Sequence, residues 1–372
     1  MVRVAELVAP GIAAIQPYQP GKPIEELERE LGPSLPAGGV IKLASNENPL
    51  GPSPRARAVL LGAVADVHRY PDGSAFALRR ALADARPGVR YEELVVGNGS
   101  NEILDLLVRT FCRPGDEVIA PAQTFACYQL SAQAHGVDYR EVARGSDFVY
   151  DLDALGHAVG PKTRMVFLAN PDNPTGAYAS REAVERLMAR LPEQVIFAVD
   201  EAYCDYAVAP DYPDTLTLHR LHPLTVTLRT FSKIYGLAGL RCGWAVAPAE
   251  MVAYLDRVRN PFNVNSLAQV AAIAALGDQD HLQRSRRLNA EGMVQLRAGL
   301  ERLGVSYLPS QCNFLLVDVA PREGRRVFDV LLGRGVIVRP VASYRLPHHL
   351  RVTIGTADEN HRFLDALTAA LA

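Results

Sequence analysis

The sequence predicts an α/β fold whose main sheet is largely parallel, followed by a smaller α+β domain. The strands predicted between residues 94 and 247 are continuous apolar or β-branched runs, such as Met165–Ala169 and Val195–Val199. Runs of this kind are typical of strands that helices cover on both faces. Polar loops and helical segments such as Ile103–Phe111 separate the strands, which is the order of elements in a layered α/β domain.

The pattern changes after residue 249, where two long helical stretches are predicted at Ser266–Leu276 and Asp280–Leu303. Shorter elements follow: a strand over 314–319, a helix over 325–332, strands over 335–339 and 350–354, and a helix over 359–371. We therefore expect three parts, namely an N-terminal arm over residues 1–45, a large domain over 46–259 and a small C-terminal domain over 260–372.

The N-terminal arm is rich in proline and glycine and contains one predicted helix, Ile24–Leu31, and a short strand at Ile41–Ala44. Proline lacks the N–H group that a sheet ladder needs. We therefore expect the segment before residue 40 to find little to pack on within its own chain. The arm as a whole is expected to contribute to the small domain and to a dimer.

Composition and charge exclude several classes of function. The chain has 372 residues, a net charge of −2 and 48% hydrophobic residues, so two sizeable cores are possible. Basic residues are scattered among acids, which argues against nucleic-acid binding. No apolar run reaches the ~18–20 residues of a membrane span, and the N-terminus lacks a signal-peptide layout. Five cysteines without Cys-x-x-Cys spacing predict reduced thiols in a cytoplasmic protein, and the paired histidines lack company for a metal site.

The stretch Thr230–Arg241 carries the strongest chemical signal. It holds Lys233, one of four lysines in the chain, with hydroxyl residues just before it and Arg241 after it. An amine that bonds to an aldehyde must lose its proton near neutral pH, and desolvation or a nearby cation lowers its pKa. Hydroxyls and a guanidinium suit a phosphate, so the stretch fits pyridoxal 5′-phosphate (PLP), which has both groups. A capped helix start explains the stretch equally well, and the stretch alone leaves both interpretations open.

Polar residues follow other predicted strands. Gly97–Glu102 is a glycine turn that opens a helix, whose N-terminal N–H groups attract an anion. Asn170–Gly176 contains two prolines and a glycine that constrain its backbone, and for Asn170 we favour a role in a rigid turn. Asp200 ends an apolar strand, where a carboxylate is unfavourable without a cation such as the pyridinium nitrogen of PLP. Tyr203 is within reach of the ring hydroxyl.

Together these motifs resemble the fold-type I PLP enzymes of the aspartate aminotransferase superfamily. The resemblance rests on the Asn-Pro-x-Asn-Pro-Thr-Gly turn, the Asp-Glu-Ala-Tyr strand end, and a Ser-Lys pair with an arginine eight residues after the lysine. A closer resemblance, from about residue 10 to 360, is to histidinol-phosphate aminotransferases. It is carried by the segments 17–23, 45–52, 69–72, 237–243, 335–340 and 350–356.

The resemblance implies roles for the cofactor site. Lys233 would bind PLP covalently and move the substrate proton, and Asp200 would keep the ring nitrogen protonated. Asn173 and Tyr203 would hold the ring oxygen, and Phe125 would stack on the ring. The phosphate ligands would be hydroxyl, amide and arginine side chains, with one tyrosine from a second subunit: Ser100, Asn101, Thr230, Ser232, Arg241 and Tyr70.

It also implies the substrate contacts and the reaction. Arg351 would bind an α-carboxylate, with Asn173 nearby, while Tyr18 and Arg339 would meet the phosphate end of the substrate. The reaction would transfer the amino group of L-histidinol phosphate to 2-oxoglutarate, forming imidazole acetol phosphate and glutamate in histidine biosynthesis. The enzyme would be a homodimer acting on small molecules.

Two positions depart from the pattern, and three rivals remain. Phe125 stands where some relatives have tyrosine, and Arg345 stands where the pattern often has glycine; we favour a solvated surface role for Arg345. An aromatic amino acid aminotransferase shares nearly all these motifs. A PLP decarboxylase of the threonine-phosphate type is a second alternative. A PLP-dependent regulator would need a DNA-binding segment before residue 40, which the proline-rich arm does not predict.

Overall fold

The computed structural model describes residues 2–17, 20–145 and 148–372. Its helices are α1 Pro10–Ala13, α2 Ile24–Leu31, α3 Pro54–Ala63, α4 Phe76–Asp84, α5 Ser100–Phe111, α6 Cys127–Ala134, α7 Leu152–His157, α8 Arg181–Arg190, α9 Ala249–Val258, α10 Ser266–Leu276, α11 Gln279–Arg302, α12 Gly324–Gly333 and α13 Ala357–Leu371. Its strands are β1 Ile41–Lys42, β2 Leu94–Gly97, β3 Glu117–Pro121, β4 Asp138–Val142, β5 Thr163–Ala169, β6 Ile196–Asp200, β7 Thr225–Thr230, β8 Gly243–Val246, β9 Ser306–Tyr307, β10 Phe314–Asp318, β11 Val336–Ile337, β12 Arg339–Pro340 and β13 His349–Thr353.

The main sheet confirms the predicted fold class. In the described residues it has seven strands in the order β2-β8-β7-β6-β5-β3-β4, and only β8 runs antiparallel to its neighbours. The side chains of β6 are buried along its whole length, as the continuous apolar run predicts. Strand β4 was not predicted. It forms the edge of the sheet, its residues are exposed or half-buried, and it therefore lacks a continuous apolar run.

The C-terminal part contains a second core around the antiparallel strands β12-β13-β10-β9 and the helices α11, α12 and α13. The predicted helix and strand positions agree with the structure to within two residues, except for the strand predicted over 335–339. That segment forms two strands, because Val336 and Ile337 pair with β1 whereas Arg339 and Pro340 pair with β13. The chain therefore changes partner at Val338.

The arm packs on this second core. Leu27 of α2 is 2% exposed and belongs to the same apolar cluster as Ile41 and Leu43. The partly buried Ile24 and Leu31 flank Leu27 on one face of the helix, at the spacing that makes a short helix amphipathic. The prediction that the segment before residue 40 finds little to pack on within its own chain is therefore wrong for α2. The division at residues 45 and 259 stays a prediction.

The surface and cysteine patterns add three observations. All five cysteines are free thiols, and Cys112, Cys242 and Cys312 are buried. Across the described ranges, no helix combines the length and apolar character needed to cross a membrane. Within those ranges there is also no group of three or more His, Cys, Asp or Glu side chains placed to hold a metal ion.

The topology positions the site. Strands β5, β6 and β7 are parallel neighbours, so their carboxyl ends lie at one edge of the sheet. The predicted motifs lie at these ends: the Asn170–Gly176 turn after β5, Asp200 at the end of β6, and the Thr230–Arg241 stretch at the end of β7. The N–H of Asn170 donates to the carbonyl oxygen of Asp200 at 2.9 Å. Helix α5 begins at Ser100, just after β2. Motifs about 30 residues apart in sequence therefore face the same space, as is usual for ligand sites of open α/β sheets.

Candidate active site

A cavity of about 270 Å³ opens at the carboxyl edge of the main sheet, against residues of the second core. Of the fourteen predicted site residues, twelve line it: Ser100, Asn101, Phe125, Asn173, Asp200, Tyr203, Thr230, Ser232, Lys233, Arg241, Arg339 and Arg351. Tyr70 is not among the described residues that line the cavity. Tyr18 lies outside the described residues. The structure therefore brings together residues that are up to 251 positions apart, from Ser100 to Arg351.

Lys233 is the amine of the cavity. Its Nζ donates a hydrogen bond to the carbonyl oxygen of Ser45 at 3.1 Å and lies 5.4 Å from the centre of the Tyr203 ring. Burial, with the positive charges of Arg351 and Arg241, lowers the pKa of Lys233 to about 8. A substantial fraction of this amine is therefore neutral, and nucleophilic, near physiological pH.

One end of the cavity has the character of an anion site. Ser100 begins helix α5, and Gly99 before it provides no side-chain cap for the N–H groups of the first turn. The Oγ of Ser232 accepts hydrogen bonds from Arg241 Nη1 at 3.3 Å and from Thr230 Oγ1 at 3.0 Å. Helix N–H groups, hydroxyls and a guanidinium thus meet in one place, which is the donor set that binds a phosphate.

Two glycines make this close approach possible. A Cβ atom on Gly99 would lie 2.3 Å from Nη2 of Arg241, and a Cβ atom on Gly243 would lie 2.1 Å from the backbone nitrogen of Ser100. The Gly243 contact is with backbone, which leaves no room for a side chain, and Gly99 has a φ of 84°, a conformation that favours glycine. Arg241 itself adopts a φ of 58°, in the left-handed region. The local backbone conformation therefore allows the Arg241 guanidinium to lie beside the N-terminus of α5.

Asp200 is the last residue of β6, is 5% exposed and lines the cavity. Its carboxylate accepts hydrogen bonds from Tyr128 Oη and from the Ala202 N–H, each at 3.1 Å. Burial raises the pKa of Asp200 to about 6, although these hydrogen bonds and the charge of Lys233 act in the opposite direction. A carboxylate desolvated to this extent attracts a cation strongly.

Tyr128 is a site residue that the sequence patterns do not single out. It is fully buried, stacks parallel on Phe167 at 4.6 Å and meets Phe125 edge-on at 5.6 Å. In the sequence it is one more aromatic residue near the start of a helix, and a core role explains it. Only the fold reveals the hydrogen bond to Asp200, which lies 72 residues away.

Tyr203 is oriented by a second residue that was missed, Asn46. Nδ2 of Asn46 donates to Tyr203 Oη at 2.8 Å, and Oδ1 of Asn46 accepts from Thr353 Oγ1 at 3.1 Å. Because Tyr203 accepts this hydrogen bond, its own proton is available for another acceptor, and burial raises its pKa so that the proton is retained. Asn46 has a φ of 57°, which asparagine tolerates better than most residues. The motif Ser45–Pro49 contained this signal.

Two arginines line the cavity from the second core. Arg351 is 8% exposed; its Nη1 donates to Asn173 Oδ1 at 2.5 Å and its Nη2 to the Ala44 carbonyl oxygen at 2.7 Å. Its buried Nε has no hydrogen-bond partner within the part of the chain that the structure describes. Arg339 is the cross-strand neighbour of Arg351 in β12 and β13. The pair forms a second positively charged region, distinct from Arg241.

The structure also describes three other positions that the sequence analysis singled out. The amide of Asn170 exchanges hydrogen bonds with the backbone of Ala179 at 2.8 and 3.2 Å, which confirms its role in a rigid turn. Arg345 has a φ of 61°, the region that favours glycine, and its exposed side chain pairs with Glu141 outside the cavity lining. Tyr70 is 83% exposed and stacks on Phe262 at 4.7 Å.

The sequence matches the family model for aminotransferase class I and II over residues 38–367. The chain belongs to this family. As a class I and II aminotransferase it has the PLP-transferase fold that the sequence resemblance predicts.

Individual relatives confirm the closer resemblance. This aminotransferase is 51% identical to a histidinol-phosphate aminotransferase of Anaeromyxobacter sp. (strain Fw109-5), over 97% of this chain and 98% of the relative. It is 48% identical to histidinol-phosphate aminotransferase 2 of Pseudomonas aeruginosa, over 98% of both. A solved histidinol-phosphate aminotransferase of Sinorhizobium meliloti, in complex with pyridoxal-5′-phosphate, has a TM-score of 0.84 and 30% identity, covering 98% of this chain and 96% of that one.

The buried Asp200 predicts a pH-dependent gain in stability for Asp200→Asn in the cofactor-free protein. A carboxyl whose pKa is raised on folding from 3.8 to about 6 binds more protons in the native state between these values. The native chain therefore loses stability as pH rises through this window, by up to ~3 kcal/mol above pH 6. The neutral amide of Asp200→Asn avoids this loss.

Unfolding by urea at a series of pH values from 4.5 to 8 measures the effect. Asp200→Asn is expected to be more stable than the native chain at pH 8, and the difference is expected to shrink towards pH 4.5. Asp205→Asn is a suitable control, because it changes a neighbouring carboxyl whose side chain keeps partial contact with solvent. A constant difference across the whole range would contradict the assigned burial of an ionised Asp200.

Proposed function

We propose that this aminotransferase uses PLP to transfer the amino group of L-histidinol phosphate to 2-oxoglutarate, in histidine biosynthesis. The observation that carries the proposal is that one cavity combines a buried amine of lowered pKa, an anion site and a separate pair of arginines, Arg339 and Arg351. The names of relatives about 50% identical over nearly the full chain favour this substrate. The free cysteines suit a reducing compartment, and we place the activity in the cytoplasm.

The residues of the cavity fit PLP. The phosphate would be held by the N-terminus of α5, the hydroxyls of Thr230 and Ser232, and Arg241, in the space beside Gly99 and Gly243. Lys233 and Asp200 lie in the same cavity, where an aldehyde and a pyridinium need an amine and a carboxylate. When bound, PLP supplies the aldehyde that accepts the amino group and the ring that takes up the electrons released at the substrate carbon.

The protein contributes proton transfer and orientation. Lys233 Nζ, with a pKa of about 8, is the group that would remove the proton from the substrate carbon that bears the amino group and hold it for later return. Asp200, oriented by Tyr128 and the Ala202 N–H, would keep the ring nitrogen protonated. Because Oδ1 of Asn173 already accepts from Arg351, its Nδ2 is the group that would donate to the ring oxygen. Tyr203 would donate its retained proton to the same oxygen, and Phe125 would cover the ring.

Arg351 and Arg339 bind opposite ends of the substrates in this proposal. Histidinol phosphate has no α-carboxylate, whereas glutamate and 2-oxoglutarate do. Arg351, with a buried Nε that lacks a partner among the described residues, binds the α-carboxylate of these acids. Arg339 binds the distal group, which is a phosphate in one half-reaction and a carboxylate in the other. Tyr18, the other predicted ligand of the phosphate end, stays a prediction.

The substrate is tested by single-turnover amine transfer to the PLP form, followed by the change in visible absorbance. Histidinol phosphate, phenylalanine and threonine phosphate are compared side by side at equal concentration. Histidinol phosphate is expected to react with the largest kcat/KM, because it alone combines a distal phosphate with an imidazole. Phenylalanine reacting faster would favour an aromatic amino acid aminotransferase, and release of carbon dioxide from threonine phosphate would indicate a decarboxylase.

Replacement of Arg339 is expected to separate the substrates. Arg339→Ala should lower kcat/KM for histidinol phosphate about 10- to 150-fold, the value of one charged hydrogen-bonding partner, and leave a phenylalanine side reaction nearly intact. Arg351→Ala should instead weaken glutamate by a similar factor. Arg345→Ala is the matched control, since this neighbouring arginine pairs with Glu141 at the surface. Equal losses for phenylalanine and histidinol phosphate in Arg339→Ala would remove the reason for preferring the phosphorylated substrate.

We further propose a homodimer in which each site receives Tyr70 of the partner subunit at the cofactor phosphate. In its own chain Tyr70 is 83% exposed and stacks on Phe262, which is itself 44% exposed. Leu61 and Val67, which are 84% and 57% exposed, lie just before Tyr70 in sequence. Exposed apolar side chains in such number favour a protein–protein interface.

Hybrid dimers test the shared site. Lys233→Ala is expected to abolish activity, and Tyr70→Phe is expected to weaken PLP binding in the partner's site. Mixing the two variants should restore part of the activity, because one site of each hybrid then has both native residues. Exchange of subunits is verified with differently tagged chains. The proposal is contradicted if three results occur together: the subunits exchange, Tyr70→Phe is impaired on its own, and mixing restores no activity. Tyr70 then does not act in the partner's site.

A further inference from the structure

A buried ion pair lies next to the cavity, between Arg144 and Asp172. Nη2 of Arg144 donates to Oδ2 of Asp172 at 2.9 Å, and the two side chains are 2% and 0% exposed. Neither residue is among the described residues that line the cavity. Because desolvation offsets most of the attraction in such a pair, a buried ion pair is weak evidence for a stabilising role. Its surroundings indicate what it does instead.

Asp172 holds the turn that carries Asn173. Its Oδ2 accepts from Thr175 Oγ1 at 2.6 Å and from the Thr175 N–H at 3.3 Å. Its carbonyl oxygen accepts from the N–H of Gly176 at 2.9 Å, and its own N–H donates to the carbonyl oxygen of Ala177 at 2.7 Å. The carboxylate and the backbone of one residue thus close the turn from both sides. Asn173, the next residue, has its side chain in the cavity wall.

Arg144 holds the loop that carries Phe125. Its Nε donates to the carbonyl oxygen of Ala122 at 2.5 Å, and its Nη2 donates to that of Gln123 at 3.4 Å. The guanidinium also lies 4.3 Å from the centre of the Tyr150 ring. These contacts fix the loop between β3 and α6 at the residues just before Phe125.

Thr124 connects the two segments directly. Its Oγ1 donates to Oδ1 of Asp172 at 2.7 Å, so both oxygens of this carboxylate are used. The loop that carries Phe125 and the turn that carries Asn173 are therefore fastened to one carboxylate, 48 residues from Thr124 in sequence. Phe125 and Asn173 are the side chains that we propose contact the face and the oxygen of the PLP ring.

We propose that Arg144 and Asp172 are positioning residues, which set the spacing between Phe125 and Asn173 and so fix the orientation of the cofactor ring. The inference rests on the proposed function, because it takes Phe125 and Asn173 to be the side chains that contact the PLP ring. A loss of the ion pair leaves Lys233, Asp200 and the phosphate site in place but lets the ring adopt more than one orientation. The affinity for PLP and the visible circular dichroism per bound PLP then decrease, since the latter depends on a fixed ring orientation.

Thr124→Val is the most conservative test, because it removes one hydroxyl, keeps the side-chain shape and leaves the ion pair intact. PLP is removed from the protein and added back, and the dissociation constant is measured by equilibrium dialysis. We expect binding to weaken about 3- to 10-fold, the value of one hydrogen bond. The visible circular dichroism at saturating PLP is expected to decrease as well.

Arg144→Met combined with Asp172→Leu removes both charges and leaves neither one unpaired. Because it also removes hydrogen-bond partners from Thr124, Thr175 and two loop carbonyls, this double variant is expected to melt at a lower temperature than the native protein without PLP, and to bind PLP about 10-fold more weakly or worse. Arg79→Met is the matched control, because Arg79 is another arginine with a 9% exposed side chain, paired with Asp256 and absent from the cavity lining. It is expected to lose stability without a change in PLP affinity or circular dichroism.

Unchanged affinity and unchanged circular dichroism in both Thr124→Val and the double variant would overturn the inference and leave the ion pair a purely structural feature. If the double variant does not fold, Thr124→Val decides the question alone. Failure of the native chain to bind PLP overturns the proposed function, and this inference with it. Native binding with unaffected variants overturns this inference only.

Discussion

The parallel alignment of β5, β6 and β7 is the constraint on which the site depends. Ala169 pairs with Asp200, and Asp200 pairs with Leu228, so the carboxyl ends of β5 and β6 are level and β7 ends two residues further on, at Thr230. The Asn-Pro turn, the acidic strand end and the lysine stretch follow these ends. A shift in the register of one strand would reverse which faces its side chains occupy and move its motif out of the cavity. The apolar residues that fill β6 from end to end therefore also hold Asp200 in position.

The second constraint is electrostatic. The cavity takes both a carboxylate and an amine out of water, which raises the pKa of Asp200 to about 6 and lowers that of Lys233 to about 8. Arginines from two regions, Arg241 and Arg351, add positive charge to the same space. The unliganded protein therefore holds the Asp200 carboxylate and the arginine side chains in an unfavourable environment. A ligand with an anionic group and a basic ring nitrogen would neutralise the charges of both. Active sites commonly contain such buried charges, which lower stability but are needed for function.

The sequence predicts the fold class, most elements and the lysine stretch from local patterns, because buried strands and helix faces have short periods. Roles that depend on distant partners are different. Tyr128 and Asn46 belong to the site through hydrogen bonds to Asp200 and Tyr203 that cross 72 and 157 residues. Arg339 was assigned only through resemblance, since nothing in its neighbourhood distinguishes it from a surface arginine. The packing of Leu27 was missed because most members of its apolar cluster lie beyond residue 290.

The most direct test of the account is to locate the amine that binds PLP. The protein is loaded with PLP, treated with borohydride to make the covalent bond permanent, digested and mapped by mass spectrometry. The account predicts a single labelled peptide containing Lys233, whose pKa burial lowers to about 8. The label should be absent in Lys233→Ala. Label on Lys22, Lys42 or Lys162 in place of Lys233 would contradict the assignment of the cavity as the catalytic site.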